Sequence, residues 1–178
     1  DFLHFLRTYD LAASVIRTQQ DYRDVTYEYL SSCAAEGAIY VELIASPDHA
    51  AAAGLSDADH YAAIAQGIDD ARADHGIEAR VLLAAVRNFG VAAAEKIARN
   101  HADDRHPYVV GFNLVGDEAA WSPTQFARAY EIAAGSGLGC TVHAGEHAGP
   151  ESVREALALP ITRISHGVRS IEDPALVA

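Results

Sequence analysis

The chain has 178 residues, with 25 acidic against 13 basic side chains and a formal net charge of -12. That balance excludes a surface built to grip a nucleic-acid backbone, which needs a basic face. No apolar run reaches the ~20 residues of a membrane helix, and Cys33 and Cys140 are too few for a disulfide scaffold and fit no metal-site spacing. Half of the residues are hydrophobic and 21% are charged, which suits a globular unit with a real core. Methionine is absent, and the chain opens on Asp1 and stops at Ala178 inside the start of a helix. The ends therefore read as other than the natural ends of a complete protein, so the lack of a leader is uninformative. The cysteine usage points to the cytoplasm.

In chain order, Asp1–Ile16 carries a helical stripe of Phe2, Phe5, Leu6 and Tyr9. Asp21–Glu36 continues as a helix with Val25, Tyr29, Leu30 and Cys33 on one face, and Gly37 sits where a left-handed cap belongs. Residues 38–45 (AIYVELIA) predict a strand, broken by Ser46-Pro47. Ser56–Asp59 starts a helix with Tyr61, Ile64 and Ile68 on its apolar face, ending at Gly76. The alternation then repeats. Residues 79–86 predict a strand and 91–100 a helix. Residues 108–114 predict a strand, and a helix begins at Ser122-Pro123 with Phe126, Tyr130 and Ala133 inward. Residues 139–143 form a strand, 150–157 a helix, 161–165 a strand, and a last helix begins near Glu172.

Five apolar strands, each followed by a helix, predict an α/β fold with a parallel sheet covered on both faces. No linker or low-complexity stretch divides the chain, so residues 1–178 read as one domain. Two architectures fit. One is an open doubly wound sheet. The other is part of a (β/α)8 TIM barrel, which typically needs about 250 residues. The leading helical segment favours the barrel, because an open α/β sheet usually starts with a strand.

Both architectures place function at the C-terminal ends of the strands. The fourth strand ends in His143, with Glu146 two small residues further on, and the fifth ends in His166-Gly167. A neutral histidine can ligate a metal and a nearby glutamate can shuttle a proton. The bland alternative is a histidine satisfied by the backbone and a solvated glutamate. The pairing on neighbouring strands, with Asp117 and Glu118 one strand earlier, favours a metal or acid–base site. The bland role for Asp117 and Glu118 is an N-cap and first-turn carboxylate of the following helix. His4 is ambiguous. Of the remaining histidines, His49, His60, His75, His101, His106 and His147 read mostly as surface positions, and Cys140 as a small buried hydrophobe.

Residues 141–146 (TVHAGE), 111–118 (GFNLVGDE) and 163–167 (RISHG) together resemble the adenosine deaminase family of metal-dependent (β/α)8 amidohydrolases. The likeness runs over nearly the whole chain. It implies that the five strands are barrel strands two to six. It further implies that His143 is a zinc ligand, that Glu146 is the catalytic acid at purine N1, and that His166 orients the attacking water. Gly116 would meet purine N3 through its backbone N–H, and Phe5, Leu6 and Tyr9 would gate the pocket. Asp117 and Glu118 take a supporting role. Asn113 stands where many relatives have aspartate, and Ser165 where glycine is frequent.

The resemblance places the remaining zinc ligands, a His-x-His pair and an aspartate, outside this chain. The implied activity of the complete enzyme is zinc-dependent deamination of adenosine and deoxyadenosine to inosine and ammonia, with the 178-residue piece inactive by itself. The alternatives are a deaminase of adenine or a modified purine, and a non-catalytic α/β ligand-binding domain. The partner is a small purine nucleoside, with neither nucleic-acid polymer nor membrane, and open sheet edges would invite homo-oligomers.

Overall fold

The computed structural model describes residues 1–178. Its helices are α1 (Phe2–Ala13), α2 (Gln19–Ala35), α3 (Pro47–Ala52), α4 (Asp57–His75), α5 (Val91–Asp103), α6 (Ala127–Gly135), α7 (Pro150–Ala156) and α8 (Pro174–Val177). The strands are β1 (Tyr40–Ala45), β2 (Glu78–Val86), β3 (Val109–Val115), β4 (Gly139–Ala144) and β5 (Arg163–His166). They form one parallel sheet in the order β1-β2-β3-β4-β5. A doubly wound sheet reverses its strand order at a switch point. This one never reverses, so the barrel reading holds and the chain forms an arc of five barrel strands. The arc is curved enough that Arg163 Nη1 on β5 reaches Glu42 Oε2 on β1 at 2.7 Å, although these strands lie at opposite margins of the sheet.

Alternation along the strands divides the two faces. Val81, Leu83 and Ala85, then Phe112 and Leu114, then Cys140, Val142 and Ala144, face outward into the core shared with the helices. Tyr130 and Phe126 pack there without exposed surface, and the Tyr130 hydroxyl donates to the Thr141 carbonyl at 2.8 Å. The intervening residues, among them Asn113, Thr141, His143 and Ser165, face the hollow of the arc. Gly111 shares that face. A Cβ there would lie 2.3 Å from Leu82 Cδ2 and 2.8 Å from the Gly139 carbonyl oxygen, so only glycine lets β2, β3 and β4 approach as they do.

Helix ends follow their predicted chemistry. Ser56 caps α4 through the Asp59 N–H, and Gly76 closes it with φ +72°. Four expectations are corrected. Ser46-Pro47 does more than stop β1, because Ser46 caps the short helix α3. On α2 the inward face is Thr26 and Leu30, whereas Val25 and Tyr29 are half exposed beside a cavity between α1, α2 and β1. His60 and His101 are buried rather than superficial, His60 completely so. Finally, the loop after β3 does not cap a helix with Asp117 or Glu118; the turn at Pro123–Phe126 that leads into α6 is capped by Ser122.

Candidate active site

The C-terminal rim of the sheet brings three predicted residues together. The ligating atoms of His143, Glu146 and His166 lie within 4.8 Å of one another. β4 carries His143 at its end, and small residues let the chain turn at once, Gly145 with φ +68°. Glu146 Oε2 faces His166 Nε2 at 3.6 Å, and the two histidine rings sit edge to face at 4.8 Å. His166 is the only non-glycine residue with positive φ, at 68°. Such backbone strain persists where surrounding structure imposes it and clusters at functional sites.

Asn113 on β3 fixes the His143 ring, its Oδ1 lying 3.1 Å from Nδ1. An amide oxygen accepts, so Nδ1 carries the proton and Nε2 keeps a free lone pair. Burial first, then the neighbouring His166 and Arg87, push the His143 ring down to about 4, so it is neutral near pH 7. A neutral ring with one nitrogen oriented and the other free is the form that ligates zinc, so these residues fit the metal. They supply only part of a set that normally numbers four.

Asn113 Nδ2 also points at Ser165 Oγ, 3.5 Å away, and Thr141 Oγ1 lies 3.4 Å from the same oxygen. Asn113 and Ser165 are thus neighbours beside the same histidine. Gly116 follows β3 with φ +101°, and a Cβ would fall 2.5 Å from Asn88 Oδ1. Asn88 Oδ1 in turn accepts the Asp117 N–H at 3.0 Å.

α1 lies over this rim and buries none of its residues. Phe5 and Tyr9 are half exposed and Leu6 is half buried; none of them belongs to the three-residue cluster. The contact to the site's own loop comes instead from Phe2, which stacks on His147 at 4.0 Å. Tyr9 meets His49 edge-on at 5.9 Å, and His49 Nε2 lies 3.2 Å from Asp10 Oδ1.

Two further residues, Arg87 and Glu118, carry little signal in the sequence. Arg87 is fully buried, and its Nη2 donates to the His143 carbonyl at 2.7 Å. Glu118 is buried with its carboxylate turned to the loop after β4. The only sequence signal for Arg87 is a charged residue directly after the apolar run at residues 81–86.

Fold and site define the class: an arc of a (β/α)8 barrel of amidohydrolase type, with histidines and a carboxylate gathered at the C-terminal ends of its strands. The adenosine deaminase family profile matches residues 1–178, and the chain belongs to that family. It is 50% identical over 178 residues to an adenine deaminase of Chelativorans sp., covering 99% of this chain and 55% of the relative. Among solved structures, an adenine deaminase from Arthrobacter aurescens superposes with a TM-score of 0.94 at 29% identity, over 99% of this chain and 54% of that one. An amidohydrolase from Burkholderia ambifaria with bound Zn gives 0.86 at 31% identity, over 90% and 45%. The chain therefore spans about half the length of the curated relatives it matches.

Proposed function

We propose that this chain carries the acid, the orienting histidine and one zinc ligand of a hydrolytic purine deaminase whose substrate is adenine. The observation that carries the reading is the convergence of His143, Glu146 and His166 within 4.8 Å at the strand ends. The names of the similar proteins, adenine deaminases at 50% and 29% identity, favour the free base over the adenosine expected from the motifs. A non-catalytic binding domain would leave the strained His166 without a purpose.

His143 would hold zinc through Nε2, with the other ligands supplied from outside these residues. When bound, zinc supplies the acidity that brings a water near neutral pKa. His166 would orient the attacking water toward C6 of the ring and accept a hydrogen bond from it. Glu146, in its protonated form, donates to N1, which makes C6 more electrophilic. Addition of water at C6 and departure of ammonia convert adenine to hypoxanthine. Gly116, held by its positive φ, presents a backbone N–H to the ring edge at N3. α1, with Phe5, Leu6 and Tyr9, closes over the bound base and excludes water.

In the full-length chain, Glu146→Gln is expected to lower kcat by about 10²–10⁴-fold while adenine still binds, because glutamine cannot deliver the proton. Ammonia release and adenine binding measure the two. Undiminished turnover in that variant would sink the assignment. Comparing kcat/KM for adenine and adenosine checks the substrate, and a preference for adenosine would reverse that part.

A further inference from the structure

The Glu118 side chain has no exposed surface, yet five donors converge on its two oxygens. Oε2 accepts the backbone N–H groups of Glu146, His147 and Ala148 at 3.1, 3.1 and 3.0 Å. Oε1 accepts the Ser152 hydroxyl at 2.5 Å and the Gly145 N–H. Four consecutive amides turned to one point make a nest of the kind that binds anions. Here the anion belongs to the protein and arrives from the loop after β3. Burial alone would raise the Glu118 carboxyl, but the donors from Ser152 and the loop outweigh it and hold it below the usual carboxylate range.

A buried cation grips the other end of the same segment. Arg87, directly after β2, donates from Nη2 to the His143 carbonyl, while its Nε and Nη1 have no protein partner. The segment from His143 to Ala148 is thus held by an arginine at its start and a carboxylate along the rest. Glu146 lies inside the stretch that Glu118 holds, just past the carbonyl that Arg87 holds. Neither charged group bonds to the Glu146 carboxyl; both act through the backbone. A device that only needed to start α7 would not require two buried charges, since Gly149 and Pro150 already begin that helix.

We propose that Glu118, with Arg87, is a positioning residue: it fixes the loop after β4 so that the Glu146 carboxyl meets the substrate while His143 keeps its direction. This rests on the reading of Glu146 as the proton donor. The clamp serves turnover more than binding, because the acid's placement matters most as the proton moves.

The test uses the full-length, zinc-loaded chain. Glu118→Gln keeps the shape but turns an amide NH2 toward N–H groups. It is expected to retain zinc content and keep KM for adenine within about threefold, while kcat falls about 100-fold, the scale of a ~1 Å misplacement. Amides 145–148 should lose hydrogen-exchange protection while the core strands keep theirs. Unchanged kcat, or unchanged protection at those four amides, would overturn the proposal. If Glu118→Gln does not fold, Glu118→Asp decides by the same split between kcat and KM. Failure of both to fold would make the role structural and overturn it too. Glu146→Gln run in parallel separates the two ideas. Turnover in that variant defeats the catalytic reading, whereas loss there and normal turnover in Glu118→Gln defeats only the clamp.

Discussion

His60 has no exposed surface, and neither ring nitrogen has a partner; Tyr22 meets its ring edge-on at 4.6 Å. Burial pushes the ring down from 6.5 to about 4. Between those two values the unfolded chain binds a proton that the folded chain refuses. Stability contributed by the neutral ring is therefore full above about pH 6.5, falls as the pH drops toward about 4, and levels off below. The loss is of order 3 kcal/mol. Urea unfolding of the protein and of His60→Phe at about pH 7.5 and 4.5 should show a smaller acid loss in the variant, and equal losses would refute it. The sequence hid this histidine because its polar neighbours, Ser56, Asp57 and Asp59, form the cap and first turn of α4 while the ring turns inward. His143, Glu146 and His166 were legible because short side-chain motifs at strand ends carry their own signal. Glu118 was not: the amides it holds lie 27 to 30 residues away and have no side-chain signature.

Among the elements, β2 to β4 were the easiest to read, since a strand covered on both faces is a nearly continuous apolar run. α3 was not readable, because six residues cannot show a helical period and its cap looks like a strand breaker. The close approach of the central strands depends on Gly111, inside β3. Gly111→Ala is expected to destabilise by about 1–3 kcal/mol through overpacking, since a bulky leucine and a backbone carbonyl both have to move. A melting temperature equal to that of the parent protein would contradict this. Glycine inside a strand reads only as a weak point in the sequence; its necessity appears when Leu82 and the Gly139 carbonyl are seen against it.

For the molecule as a whole, β1 and β5 each leave one edge unpaired. Ile39, next to β1, is 82% exposed, and Ile171, in the turn that follows β5, is 80% exposed. Unpaired edges beside apolar side chains template pairing with other chains. The 178-residue chain by itself is expected to self-associate at about 100 µM, seen as concentration-dependent sedimentation, and a single monomer peak throughout would refute it. Its strand order has a temporal meaning as well. Every strand pairs only with its immediate predecessor and successor in the chain, so the order of pairing can follow the order of synthesis. Each new strand finds its template already laid down, although partners such as Tyr40 and Glu78 or Thr141 and Arg163 are joined only across the intervening helix. The Glu42–Arg163 bridge joins the first strand to the last, so it can close only once the whole arc has been made.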